Sequence, residues 1–171
     1  CYEESNVSIN GRIYTEESIG VSDVSVELNG TMISSVLTDQ NGFYDIIDLQ
    51  SGDEYMITPN RNVFNYDAIN ISDLVRMIDH ILATDYIDSP YKLIAADINE
   101  DEGITISDLT LLIDMILRRS INLDPWIFVD QDYNFTPNSL SITQNYPRNK
   151  VVSNLSNDIT GLDFIGILKG D

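Results

Sequence analysis

The sequence predicts an α+β multidomain chain: an N-terminal antiparallel β-sandwich, then a helical pair, then a C-terminal β extension. Three observations predict it. Residues 6–60 alternate apolar and polar side chains between turn signals, the mark of half-buried strands. Residues 62–118 switch to a helical period and repeat it. Two short apolar runs, Trp126–Val129 and Phe164–Leu168, read as strands near the end of the chain. The domain boundaries follow as 1–61, 62–118 and 119–171.

In the first segment the alternation is clear in Val7-Ser8-Ile9, in Val24-Ser25-Val26-Glu27-Leu28 and from Tyr44 to Ile47. Asn10-Gly11, Asn29-Gly30, Asn41-Gly42 and Ser51-Gly52 punctuate it as turns, and Pro59 closes it. Strands this short and evenly spaced suggest a sandwich.

In the second segment Leu74, Met77, Ile78, Ile81 and Leu82 fall at i, i+3, i+4, i+7 and i+8, and so do Leu109, Leu112, Ile113, Ile116 and Leu117. Residues 69–82 and 104–117 align at an offset of 35 with nine of fourteen positions identical. Chance helical patterning does not give that much identity. Between the two helices, Ser89-Pro90 reads as an N-cap and first position of a short helix through Ala96. After residue 118 weaker strand signals lie at Leu140–Ile142 and Val151-Val152. The apolar strands there are expected to dock, because exposed they would invite aggregation.

Charge excludes several function classes. Lys and Arg number 9 against 28 Asp and Glu, for a net charge of −19. Such a field repels phosphate backbones and anionic membrane surfaces, so no nucleic-acid partner is expected. No apolar run reaches the roughly 20 residues of a membrane-spanning helix, so no membrane insertion is expected. Cys1 is the sole cysteine, so no internal disulfide forms. Cys1-Tyr2-Glu3-Glu4 fits a lipid-anchored surface start, or a domain cut from a longer chain. His80 is the only histidine, and a structural role is expected for it. No Ser-His-Asp or Cys-His set can be assembled, and no catalytic residue is assigned. Carboxylate pairs abound, but a sandwich and a helical repeat pair offer no obvious cleft for glycosidase chemistry. Trp126 reads as core rather than a sugar platform. Five glycosylation sequons are present, and composition alone accounts for them in an Asn-rich chain.

The segment Asp97–Asp108 carries the strongest chemical signal. Oxygen ligands at positions 1, 3, 5, 7, 9 and 12 of a twelve-residue loop converge on one hard cation. Here these are Asp97, Asn99, Asp101, the Gly103 carbonyl, Thr105 and Asp108, and Ca²⁺ is the implied cofactor. Two departures stand out. Glycine is at position 7 rather than 6, which leaves Glu102 where the turn needs a positive φ. Position 12 is Asp rather than Glu. The competing reading is an acidic turn that caps a helix through Ser107 or Asp108. The corresponding first loop is degenerate: Asn62, Phe64 and Tyr66 stand at positions 1, 3 and 5, and only Asp73 at position 12 clearly keeps a ligand type, with Asp67 and Asn65 nearby, so its candidate ligands are Asn62, Asp67 and Asp73.

Two family resemblances follow from these residues. Gly11, Ile13, Gly20–Leu28, Thr38-Asp39-Gln40-Asn41-Gly42-Phe43-Tyr44, Leu49 and Gly52–Tyr55 resemble the carboxypeptidase-regulatory and CnaB-like prealbumin-type sandwiches. That implies a non-catalytic stalk or adaptor. Some CnaB domains form a Lys–Asn isopeptide bond; no lysine precedes Lys92, so none forms within this segment. Asn70–Val75, His80–Leu82, Ser89–Asn99, Ile104–Leu109, Ile116-Leu117, Trp126–Asp130 and Phe164–Asp171 resemble dockerin-type modules of secreted Bacteroidetes proteins, EF-hand-type repeat pairs in which an Asp at position 12 is normal. That resemblance implies calcium, secretion and assembly. The expected function is therefore a non-catalytic, extracellular or cell-surface, calcium-stabilised attachment module. Its partner is a cohesin-like domain or other copies of itself. The alternative is a surface filament subunit that polymerises by strand addition through Val7–Tyr14 and Phe164–Leu168. The third reading is an accessory fragment of a secreted polysaccharide- or peptide-degrading enzyme.

Overall fold

In the computed structural model, residues 6–119, 121–136 and 145–171 are described. The strand signals at Leu140–Ile142 and the residue Cys1 lie outside them. The elements run β1 (Asn6–Tyr14), β2 (Ser25–Gly30), β3 (Ser34–Leu37), β4 (Phe43–Gln50), β5 (Tyr55–Asn60), α1 (Ile71–Ile81), α2 (Pro90–Ala96), α3 (Ile106–Ile116), β6 (Trp126–Asp130), β7 (Lys150–Val152) and β8 (Phe164–Leu168).

The expected sandwich followed by a helical EF-hand-type pair and a C-terminal extension is corrected. The described chain is mostly β: eight strands in two four-stranded sheets, with three short helices. The sheet orders are β4-β1-β8-β6 and β3-β2-β5-β7. The late strands are not an appendage, for they enter both sheets. The physical reason lies in unpaired backbone. Five N-terminal strands leave one side of β1 and one side of β5 without partners, and β8 and β7 supply them. Strand β8 pairs in parallel with β1, through Ile13↔Phe164 and Tyr14↔Ile165. All five of its residues are buried, the pattern of a strand covered on both faces. Neither β1 nor β8 therefore lies at a sheet edge.

Contacts divide the chain into two compact units. One runs through Arg61 and takes in Phe128–Tyr133 and Tyr146–Gly166. Its core follows the strand period: Val7, Ile9 and Ile13 of β1, Val26 and Leu28 of β2, Ile46 and Leu49 of β4, and Tyr55 and Ile57 of β5 are buried. The Thr38–Tyr44 turn has a local cause. Asp39 Oδ1 accepts the amides of Asn41 and Phe43 at 2.8 and 2.9 Å, and Gly42 takes φ +82°. Thr38 is buried, donating to the Val21 carbonyl and accepting from the Val24 amide. At Gly11 the chain passes so close that an added Cβ would lie 2.0 Å from the Leu162 carbonyl oxygen, which also accepts the Tyr44 hydroxyl. Lys150 joins β7 to the end of β6, with Nζ 2.7 Å from Asp130 and 2.8 Å from Asp132.

The second unit holds Asn62–Ile127, Asn134–Asn145 and Ile167–Asp171. Both long helices start in capping boxes. Asn70 and Asp73 reciprocate at α1, and Thr105 and Asp108 at α3. Ser89 caps α2 with Pro90 in its first turn. The core gathers Ile69, Met77, Leu93, Ile98, Leu112, Met115 and Leu168. The buried stripe is rotated from the expected one. Met115 is fully buried, whereas Leu82 and Leu117 are 65% and 55% exposed. Those two leucines are C-caps, where the helix ends and leaves the core. His80 stands at the position of Met115, and its Nδ1 accepts the Ile87 amide at 3.1 Å. Burial holds its pKa below the usual imidazole value. Trp126 donates to the Val63 carbonyl at 3.0 Å and packs on the core.

Two predictions follow for the first unit. Gly11→Ala should destabilise the protein by about 1–3 kcal/mol, because the neighbour is backbone and cannot yield cheaply, measurable by urea denaturation. The second concerns alkali. Burial lowers the Lys150 pKa, but bonds and charges from Asp130 and Asp132 outweigh it and leave the value raised. Tyr44 is also raised, by burial and then by Asp163. Both groups keep their proton more tightly when folded. Stability should therefore be complete below about pH 10 and fall as pH climbs beyond it. Lys150→Met should flatten part of that fall in pH-jump melting curves; an unchanged slope would deny the lysine its share.

Candidate metal centre

The acidic loop is fixed from both ends by helices. Asp97 is the C-cap of α2 and Asp108 the third residue of α3. Both are buried, at 4% and 0% exposure, while Asp101 is exposed at the tip. One carboxylate oxygen from each of Asp97, Asp101 and Asp108 lies within 4.8 Å of the others, so the triad can hold a metal ion. It is the one such group among the described residues.

Backbone amides set the carboxylates in place. Asp97 accepts from the amides of Asp101 and Glu102 at 3.1 and 3.0 Å. Asp108 accepts from Asn99 and Thr105 at 3.1 and 2.9 Å, tying the loop's third and ninth residues to its twelfth. Burial raises the Asp97 pKa first of all; those two amides oppose it, and the charges of Asp108 and Asp101 add to it. Three carboxylates this close repel one another, and a cation would relieve them.

The left-handed turn falls where the spacing demands it. Glu102 has φ +71° and Glu100 φ +59°, while Gly103 has no positive φ. The displaced glycine thus leaves the turn on a glutamate, at a cost of about 1–2 kcal/mol per such residue. An added Cβ at Gly103 would meet ordinary contacts at 3.7 Å.

The remaining sequence-predicted ligands are placed as follows. Asn99 uses its amide within the loop, donating to Asp101 Oδ2 at 2.8 Å and accepting from the Asp101 amide. Thr105 serves as N-cap, its hydroxyl 3.2 Å from Asp108 and accepting from Ser107. In the first loop Asp73 forms the capping box with Asn70, as Asp108 does with Thr105. Asp67 pairs with Arg118 at 2.7 Å, and Phe64 stacks on Tyr66 with centroids 5.0 Å apart. Arg118 also lies over the Tyr66 ring. The first loop therefore has a guanidinium beside its acid and an aromatic pair in its fold. Among the described residues, no group of three histidine, cysteine or acidic ligands gathers at this first loop.

Sequence reasoning missed Lys169. Its side chain is 3% exposed, and Nζ lies 2.6 Å from Glu100 of the acidic loop, which is 36% exposed. Its backbone amide donates to the Pro125 carbonyl, and the next amide, Gly170, donates to Ala95 at the end of α2. A lysine sixty-nine residues from its partner carries no local signal.

No family model matches the chain, and no curated protein matches it.

The Lys169–Glu100 pair makes an asymmetric prediction. Glu100→Ala leaves a buried ammonium without its anion, whereas Lys169→Met leaves a glutamate that can reach water. The first should cost about 3 kcal/mol and the second clearly less, by chemical denaturation of each variant. Equal losses would show that the buried lysine is not held by this pair.

Proposed function

We propose that this chain is a non-catalytic, extracellular attachment module stabilised by calcium in the Asp97–Asp108 loop. The carrying observation is the convergence of the Asp97, Asp101 and Asp108 carboxylates on one point. Asn99 and the Gly103 carbonyl are the further oxygen ligands by loop position. Oxygen donors without sulfur or imidazole suit a hard cation such as Ca²⁺. The cation would supply the charge that offsets the buried acids, and its binding free energy would add to folding free energy. Calcium would thereby stiffen the segment that joins α2 to α3.

The attachment surface is read from the repeat. Ile71 and Ile106 occupy equivalent positions at the starts of α1 and α3, and Leu82 and Leu117 at their ends. All four are more than half exposed. Paired exposed apolar residues on related helices support docking of a protein partner, here a cohesin-type domain. Strand addition through β1 or β8 draws no such support, because each already pairs on both sides.

Calorimetry with calcium and with a chelator tests the metal. Saturating Ca²⁺ at about 100 times its Kd should add about 2.7 kcal/mol of stability. Asp108→Asn should remove most of that gain. No bound calcium by elemental analysis, with identical melting in both conditions, would sink the reading.

A further inference from the structure

A second surface lies on the first unit, and it is independent of the calcium site. Strands β3 and β4 are the terminal strands of their sheets. A groove lies against β4 and β1, lined by Val36 and Leu37 of β3, by Phe43, Tyr44 and Asp45 of β4 and by Asn10 and Arg12 of β1. Phe43, Ile47 and Leu37 are 54%, 61% and 65% exposed. An edge with this much apolar surface is a template for another strand.

The backbone says which groups are open. The amide and carbonyl of Asn10 bond Ile159 and Leu162, on the side of β1 away from β4. Asn10 is the register partner of Asp45 in an antiparallel pair. Opposed residues in such a pair point both toward each other or both away. The Asp45 amide and carbonyl therefore face the open side of β4. The usable edge is short. The Phe43 amide and carbonyl are taken by Asp39, and Asp48 turns left-handed at φ +60°.

The side chains say what would fit. Phe43, Asp45 and Ile47 share the exposed face of β4, an apolar–acidic–apolar series. Cross-strand pairing favours the complementary series, apolar–basic–apolar. The groove also carries Asp39 and Asp163, against the single cation Arg12. That guanidinium is already engaged by the carbonyls of Asn41 and Ser18. A second copy of a chain with net charge −19 would be repelled.

We infer that the β4 edge binds an extended basic–apolar peptide segment of another protein by strand addition. The test is an amide NMR titration with the peptide Val-Thr-Lys-Thr-Val-Thr, whose first, third and fifth side chains share one face as apolar–basic–apolar. A glutamate peptide, with the lysine replaced by glutamate, and a scrambled isomer that moves the lysine to the opposite face serve as controls. The expected result is saturable shifts confined to residues 36–47, at least tenfold weaker for the glutamate peptide and weaker for the scramble. Asp45→Lys should weaken binding at least threefold. Asp45→Pro should abolish it while leaving β1–β4 pairing intact, because only the outward amide is lost. Unchanged melting and an intact spectrum would certify that both variants fold. No binding at millimolar peptide overturns the inference. So does equal binding of the glutamate or scrambled peptide, or retention by Asp45→Pro. Concentration-dependent self-association that broadens the same residues overturns it in favour of a second copy.

Discussion

Strand β8 is buried along its whole length, and both compact units draw on it. Phe164 and Ile165 fill the backbone positions that β1 leaves open in one sheet. Beyond them, Leu168 enters the helical core, Lys169 reaches Glu100 and Gly170 bonds Ala95. A central strand must satisfy its amides and carbonyls on both sides, or strand them away from water. That requirement forces the chain to return across about 150 residues before the first sheet is complete. The same return delivers a lysine to the acidic loop.

The acidic loop shows a related division of labour. Its carboxylates are held by amides of the loop itself, so their convergence is a local property. Its burial is not local. Asp97 is buried at the end of α2 and Asp108 in the first turn of α3, and with Asp101 they form a triad that can hold a metal ion. The first loop precedes the other copy of the repeated helix but has a different electrostatic solution, with Arg118 beside Asp67.

Much of the secondary structure was legible because its signals are short-range. Alternation located β1, β2 and β4, the Ser89-Pro90 pair located the start of α2, and the repeat located α1 and α3. The helical face was less legible. Period alone marked Ile113 and Leu117 with Leu112, but burial selected Leu112 and Met115. A 3.6-residue repeat of apolar residues tolerates a small rotation, and the packing partners decide it.

By itself the sequence determined the Asn41-Gly42 and Ser51-Gly52 turns, the start of α2, the ligand spacing of Asp97–Asp108 and the net acidic charge. Each depends on residues a few positions apart, or on composition. Asn10-Gly11 and Asn29-Gly30, read as turns, lie instead within β1 and β2. Tertiary structure alone decided that the late strands complete both sheets rather than extend the chain, that β1 and β8 lie inside a sheet, and that Lys169 meets Glu100. Those outcomes are pairings across long loops. An apolar run announces only that it must be covered; which backbone covers it is settled when the unpaired edges of the other strands compete for it.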